Sequence, residues 1–249
     1  MMFRSSKKFG SRLNQYFSKI YCINLDTRLD RWRYVSKHFS RFGLKRAVER
    51  FPAIDVRNDP VWMKHEKLLK DNYSLLAMCG CMLSHRKIVE SAKQSGLENV
   101  LVFEDDVKFL KENIHNLGRS LADLDRLEWD VFYLGATYMW ALEPVGSYLV
   151  NVPNGAYATH AIAYNHSIYD QILELLPSEP LEYLQTIHFE VNALDEWLKS
   201  DHFDHSRFFG TNPIMAVQGL EESDIASDQP DSIEDMQINK FSVNLNTEK

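Results

Sequence analysis

The sequence predicts an α/β fold, a single domain in which helices flank a mixed, mostly parallel sheet. Three observations predict it. Short apolar runs of strand character alternate along the chain with segments of helical periodicity. No internal repeat and no linker divides the chain. Its 249 residues, 45% hydrophobic and 25% charged, suffice for one large core and have ordinary globular composition.

The elements follow in order. Lys19 to Leu25 (KIYCINL) is a short apolar run, read as a buried strand that ends in the polar turn DTRLD. Trp32, Val35, Phe39 and Phe42 then fall on one face of a helix. VERFPAID reads as a second, partly exposed strand, with Pro52 placing it at an edge or a bulge. From Asn58 to Leu76 the chain is polar and poorly periodic, a loop with one short helix. A helix is expected from Cys79 to Gln94, stopped by Gly96. NVLVFEDDV is an apolar strand that runs straight into three carboxylates. Ile114, Leu117, Leu121 and Leu124 mark a helix, WDVFYLG a strand and AYATHAIAYN another. A helix from about Ser167 ends before Pro177, and a last one covers roughly Asn192 to Lys199.

The ends read differently. Residues 1–18 form a basic leader in which Phe3, Phe9, Leu13, Tyr16 and Phe17 alternate with Arg and Lys. A frayed terminus is the simpler account of it, with a helix that makes peripheral contact with a membrane surface or binds a partner as the alternative. Residues 19–225 form the domain, and residues 226–249 an acidic, mobile tail.

Composition excludes some classes. A net charge of −7 leaves no basic excess to neutralise nucleic-acid phosphates. No apolar run approaches the ~20 residues that a membrane span needs. Cys22, Cys79 and Cys81 are an odd number at spacings that suggest no disulfide framework, so reduced thiols and a cytoplasmic location are expected.

The acidic triplet is the first sign of chemistry. Glu104, Asp105 and Asp106 stand at the carboxyl end of a buried strand, where open α/β sheets gather their ligands. Adjacent carboxylates repel one another unless a cation neutralises them, and Mg²⁺ or Mn²⁺ prefers such oxygen ligands. One carboxylate on the metal and another on a ribose hydroxyl would make a nucleotide-diphosphate site. A solvated acidic turn that caps the next helix explains the triplet equally well.

Several segments together resemble glycosyltransferase family 25, the lipooligosaccharide and collagen-type galactosyltransferases. They are INLDTRLDR (Ile23 to Arg31), RFPAID (Arg50 to Asp55), GCMLSH (Gly80 to His85), FEDDV (Phe103 to Val107), AYATHAIAYN, ALDEWL (Ala193 to Leu198), PIMAVQ (Pro213 to Gln218) and SDI (Ser223 to Ile225). The resemblance implies a GT-A fold, a UDP-sugar donor carrying galactose or glucose, a divalent metal at the acidic motif and inversion at the anomeric carbon. It further implies a glycan or glycosylated-protein acceptor, including a hydroxylysine-type one. By likeness to N-acetylglucosaminyltransferases of that fold, Asp106 meets the metal. Glu104 and Asp105 then serve the ribose and the metal's waters, which makes Glu104 the second metal candidate. Two positions depart from the family pattern: LLAMCG has no acidic residue, and Arg86 follows His85.

Other residues are assigned around that frame. Asn24, Leu25, Arg28 and Arg31 sit where the first strand exits, and Arg28 or Arg31 would pair with a diphosphate. For Arg31 the alternative is a bond to Asp30 or to the acidic motif. Asp195 is the candidate base, with simple helix capping as its other reading and Glu190 and Asp224 in reserve. His85 reads as a packed core histidine, and zinc at Cys79, Cys81 and His85 is set aside for want of a second ligand pair. Tyr138 and Trp140 are candidates for stacking on a sugar or for hairpin packing. The loops after Gly135 and around His202 to Arg207 are expected to bind the acceptor. Competing functions are a non-catalytic nucleotide-sugar module or scaffold and a metal-dependent phosphoesterase, though no second Asp/His cluster supports two-metal hydrolysis.

Overall fold

The computed structural model describes residues 2–64, 73–179, 182–183, 185 and 193–219. Its centre is a mixed eight-stranded sheet in the order β2-β1-β3-β8-β5-β9-β7-β6. The strands are β1 (Lys19–Asn24), β2 (Val48–Pro52), β3 (Asn99–Glu104), β5 (Val131–Thr137), β6 (Glu143–Pro144), β7 (Leu149–Asn151), β8 (Tyr157–Asn165) and β9 (Phe208–Thr211). β1 runs parallel to both β2 and β3, and β5 parallel to β9, while β8 lies antiparallel between β3 and β5. β2 is the edge strand that Pro52 requires. A second, two-stranded sheet pairs β4 (Val107–Phe109) with β10 (Ala216–Gln218).

Helices cover both faces, which is why the central strands are apolar without alternation. Val100 and Val102 of β3, Tyr21 and Ile23 of β1, and Val131 and Tyr133 of β5 join one core cluster. It is completed by α4 (Tyr73–Gln94), α6 (Tyr169–Leu175) and α7 (Leu194–Leu198). Their neighbours Leu101, Phe103, Ile20, Cys22, Phe132 and Leu134 face the other cluster, with α1 (Met2–Tyr16), α2 (Leu29–Arg41) and α5 (Leu117–Leu124). A single turn, α3 (Pro60–Met63), lies between β2 and α4.

The N-terminal segment corrects the expectation of a frayed leader. It is a helix, and Phe9, Leu13 and Phe17, spaced one turn apart, are buried against Phe42, Phe109 and Phe132. Gly10 permits the docking: a Cβ there would stand 2.2 Å from the Phe42 carbonyl oxygen. The stripe is turned inward rather than towards a surface. The acidic tail expected at 226–249 lies outside the described residues. Among the described residues, no helix is long and apolar enough to cross a membrane, and all three cysteines are free thiols.

Candidate active site

The polar residues gather where β1 and β3 end. Asn24 closes β1, 1% exposed. Its Nδ2 donates to Asp105 Oδ2 at 2.6 Å and to the Arg28 carbonyl at 2.9 Å, while its Oδ1 accepts from Arg50 Nε at 2.8 Å. The Leu25 carbonyl accepts the Arg28 N–H and closes the turn into α2. Arg28 stands at the rim beside Asp30, with Nε 3.4 Å from Oδ1. Arg31 takes the second of its two readings. It is 7% exposed, and its Nη2 lies 2.9 Å from Asp105 Oδ1 and 3.2 Å from Asp106 Oδ2. Carboxylates buried this deeply need a cation among them, and Arg31 is that cation. Arg50, a charge within an edge strand, was the unread signal in RFPAID.

The acidic motif divides between two faces. The pleat of β3 sends Glu104 to the side of Val100 and Val102, where its Oε1 accepts the Thr159 hydroxyl at 2.8 Å. Asp105, held by Asn24 and Arg31, ties β1, α2 and β3 together. Asp106 gives Oδ2 to Arg31, but its Oδ1 is buried with no hydrogen-bond partner among the described residues. Burial pushes the Asp106 carboxyl up to about 6 against the pull of Arg31, and burial together with the charge of Asp106 pushes Glu104 up to about 8. A hard divalent cation at Asp106 Oδ1 would satisfy the orphaned oxygen and offset the repulsion, so this residue fits a metal. The PIMAVQ segment stands directly behind: β10 pairs with β4, and the Gly219 N–H donates to the Asp106 carbonyl at 2.7 Å.

Asp195 lies in the first turn of α7 but is not its N-cap, which is Ala193. Oδ2 accepts the Ala158 N–H and Oδ1 the Glu196 N–H, each at 3.0 Å. Burial raises its pKa. Its neighbours Leu194 and Leu198 join the core cluster of Val100, Val102 and Tyr133, on the Glu104 face of the sheet. The reserve candidates Glu190 and Asp224, and the segment SDI, lie outside the described residues.

GCMLSH is explained by packing on α4. A Cβ on Gly80 would stand 2.5 Å from the Ile54 carbonyl oxygen, and Ser84 Oγ accepts the Ile54 N–H at 2.9 Å while donating to the Gly80 carbonyl at 2.6 Å. His85 is buried with Nδ1 3.0 Å from the Tyr164 hydroxyl, as a core histidine should be. One donor atom each from Cys81, His85 and Glu104 nevertheless fall within 4.8 Å of one another. Cys79 is not among them. The ligand that no local spacing could reveal comes from β3.

Of the two expected acceptor loops, one lies at this end. Thr137 pairs with Tyr157, so the chain after Gly135 emerges beside Ala158. There Tyr138 is buried, donating to the Thr211 carbonyl at 3.3 Å. Trp140 is 40% exposed and stacks on Tyr157 at 6.0 Å and 15°, with Lys199 Nζ 3.3 Å from the Tyr157 ring centre. Residues 202–207 instead adjoin the opposite end of the sheet. Arg207 pairs with Asp130, whose carbonyl accepts the Asn165 N–H at the far end of β8.

Comparison with known proteins places the chain in a family. The family model "Glycosyltransferase family 25 (LPS biosynthesis protein)" matches residues 17–152, more than half of the chain. The chain belongs to glycosyltransferase family 25. A family 25 member from Aedes aegypti is 30% identical over 207 residues, 75% of this chain and 33% of the relative. One from Drosophila melanogaster is 26% identical over 238 residues, 86% of this chain and 38% of the relative. Procollagen galactosyltransferase 2 of Mus musculus is 27% identical over 164 residues, 61% of this chain and 26% of that protein. The chain thus spans about a third of the length of the curated relatives it matches. Within the family 25 match lie the β1 exit, Arg31, Arg50, GCMLSH and the acidic motif; β8 and Asp195 lie beyond it.

Proposed function

We propose that this chain is a metal-assisted, inverting hexosyltransferase that takes galactose or glucose from a UDP-sugar and passes it to a hydroxyl of a glycan or glycosylated protein. Membership of family 25 supports transfer, and the observation that carries the metal and donor is the buried Oδ1 of Asp106 beside Arg31, without a hydrogen-bond partner among the described residues. In such a transfer the acceptor oxygen bonds to the anomeric carbon while the bond to the diphosphate breaks and its electron pair leaves with UDP. Asp106 would hold a Mn²⁺ or Mg²⁺ ion, which would supply Lewis-acid stabilisation of that leaving group. Arg28, at the rim of the β1 exit, adds positive charge to the diphosphate. Asp195 takes the acceptor proton; its burial, which raises its pKa, suits a general base. Trp140 and Tyr157 form the platform on which the acceptor sugar rests.

Calorimetric titration with UDP, UDP-galactose and UDP-glucose, with and without Mn²⁺, tests this reading against an Asp106→Asn variant. Manganese-dependent binding that the variant loses is expected. Absence of binding by any nucleotide sugar overturns the donor assignment and favours a scaffold. That second reading has its own support: "Inactive glycosyltransferase 25 family member 3" of Mus musculus is 36% identical over 105 residues, 41% of this chain, and the segment LLAMCG lacks the acidic residue expected there.

A further inference from the structure

Cys81 and His85 stand four residues apart on α4, which puts both side chains on one face of the helix. That face looks onto β3, and Glu104 reaches it from the end of the strand. Donor atoms of the three lie within 4.8 Å of one another. The imidazole is nearly inaccessible, and while its Nδ1 lies 3.0 Å from the Tyr164 hydroxyl, its Nε2 has no partner among the described residues. On the other side of the cluster the Thr159 hydroxyl holds Glu104 Oε1 at 2.8 Å and fixes the carboxylate. Ring and carboxylate are thus each oriented by an outer hydroxyl, the arrangement that first ligands of a metal usually have.

The charges point the same way. Burial holds His85 down to about 3, so the ring is neutral and keeps a lone pair to donate. Burial pushes the Cys81 thiol well up, and a divalent cation bound there would displace the thiol proton to solvent.

We propose that Cys81, His85 and Glu104 form a three-ligand site for a borderline divalent cation of the zinc type, with a fourth position open. One sulfur, one nitrogen and one oxygen donor suit Zn²⁺ or Co²⁺, whereas Mg²⁺, Ca²⁺ and Mn²⁺ avoid thiolate. Three protein ligands and an open position distinguish such a site from a closed structural one. It is separate from Asp106 Oδ1, an all-oxygen position for a hard cation, and it does not depend on the transferase reading.

Cobalt reports on it directly. The full chain, stripped of metal with a chelator, is titrated with Co²⁺ while the thiolate-to-cobalt charge-transfer absorption is followed. One equivalent should bring up the band, and Zn²⁺ should abolish it by displacement. Cys81→Ser should lose the band and weaken Zn²⁺ binding by more than about tenfold, the scale on which even outer partners act. Cys79→Ser and Asp106→Asn should keep the band. Circular dichroism of Cys81→Ser confirms that the fold survives, and a Zn²⁺-induced rise in melting temperature of the wild type gives a second readout that needs no variant. No thiolate band in the wild type, or a band that persists in Cys81→Ser, overturns the site.

Discussion

The carboxylate of Asp195 accepts the backbone N–H of Ala158 at 3.0 Å, and among the described residues Ala158 is the one non-glycine with positive φ, at 67°. The bond carries α7 onto β8, and the next residue, Thr159, holds Glu104. The left-handed region costs an L-residue about 1–2 kcal/mol, part of which glycine returns as unfolded-state entropy. Ala158→Gly should therefore stabilise the protein by up to about 1 kcal/mol in chemical denaturation. Asp195→Ala should cost about 1–3 kcal/mol by removing a charged acceptor. A destabilised Ala158→Gly variant would show that the turn is not strained.

Leu13 is fully buried against the second core cluster. Truncating such a side chain leaves both lost transfer energy and a cavity, so Leu13→Ala should cost about 2–5 kcal/mol. Urea unfolding of the full chain measures it. A cost below about 0.5 kcal/mol is what a frayed leader would give.

His38 couples stability to pH. Its Nε2 accepts the Phe109 N–H at 2.9 Å, and burial, with Arg41, Lys108 and Lys111 nearby, holds it down to about 4 from an ordinary 6.5. Between those values the unfolded chain binds a proton that the folded chain refuses. The contribution is complete above about pH 6.5 and falls as pH drops, by about 1.4 kcal/mol per unit until about pH 4. Glutamine keeps an acceptor and does not titrate. The stability of wild type relative to His38→Gln should thus decline by about 2 kcal/mol from pH 6.5 to pH 5; a difference that does not change with pH would refute the assignment.

Trp140 tests the acceptor platform. Being 40% exposed, it contributes little to the core. Trp140→Ala should raise the acceptor KM several-fold to about tenfold with kcat and donor KM nearly unchanged, the pattern of lost uniform binding. Trp140→Phe should restore most of it. Equal losses in kcat and kcat/KM for both substrates would assign Trp140 to the transition state instead.

The sequence by itself determined the elements whose patterns are local. The runs of β1, β3, β5 and β8 and the period of α4 could be read because a strand buried on both faces and a long helix each write their environment into consecutive residues. The acidic motif was legible for the same reason, as charge placed where an apolar run stops. The stripe of Phe9, Leu13 and Phe17 was visible too, but chain ends are commonly frayed and nothing local shows what would cover it. Strands β6, β7, β9 and β10 went unread because two to four residues carry no period. Only the tertiary structure decided which partner each polar group takes. Asn24 meets Asp105 across 81 positions, Arg31 spends its charge on the acidic motif, and the pleat turns Glu104 towards Cys81 and His85. Spacing along a chain fixes the face on which a side chain stands; strand order and register fix what stands opposite it.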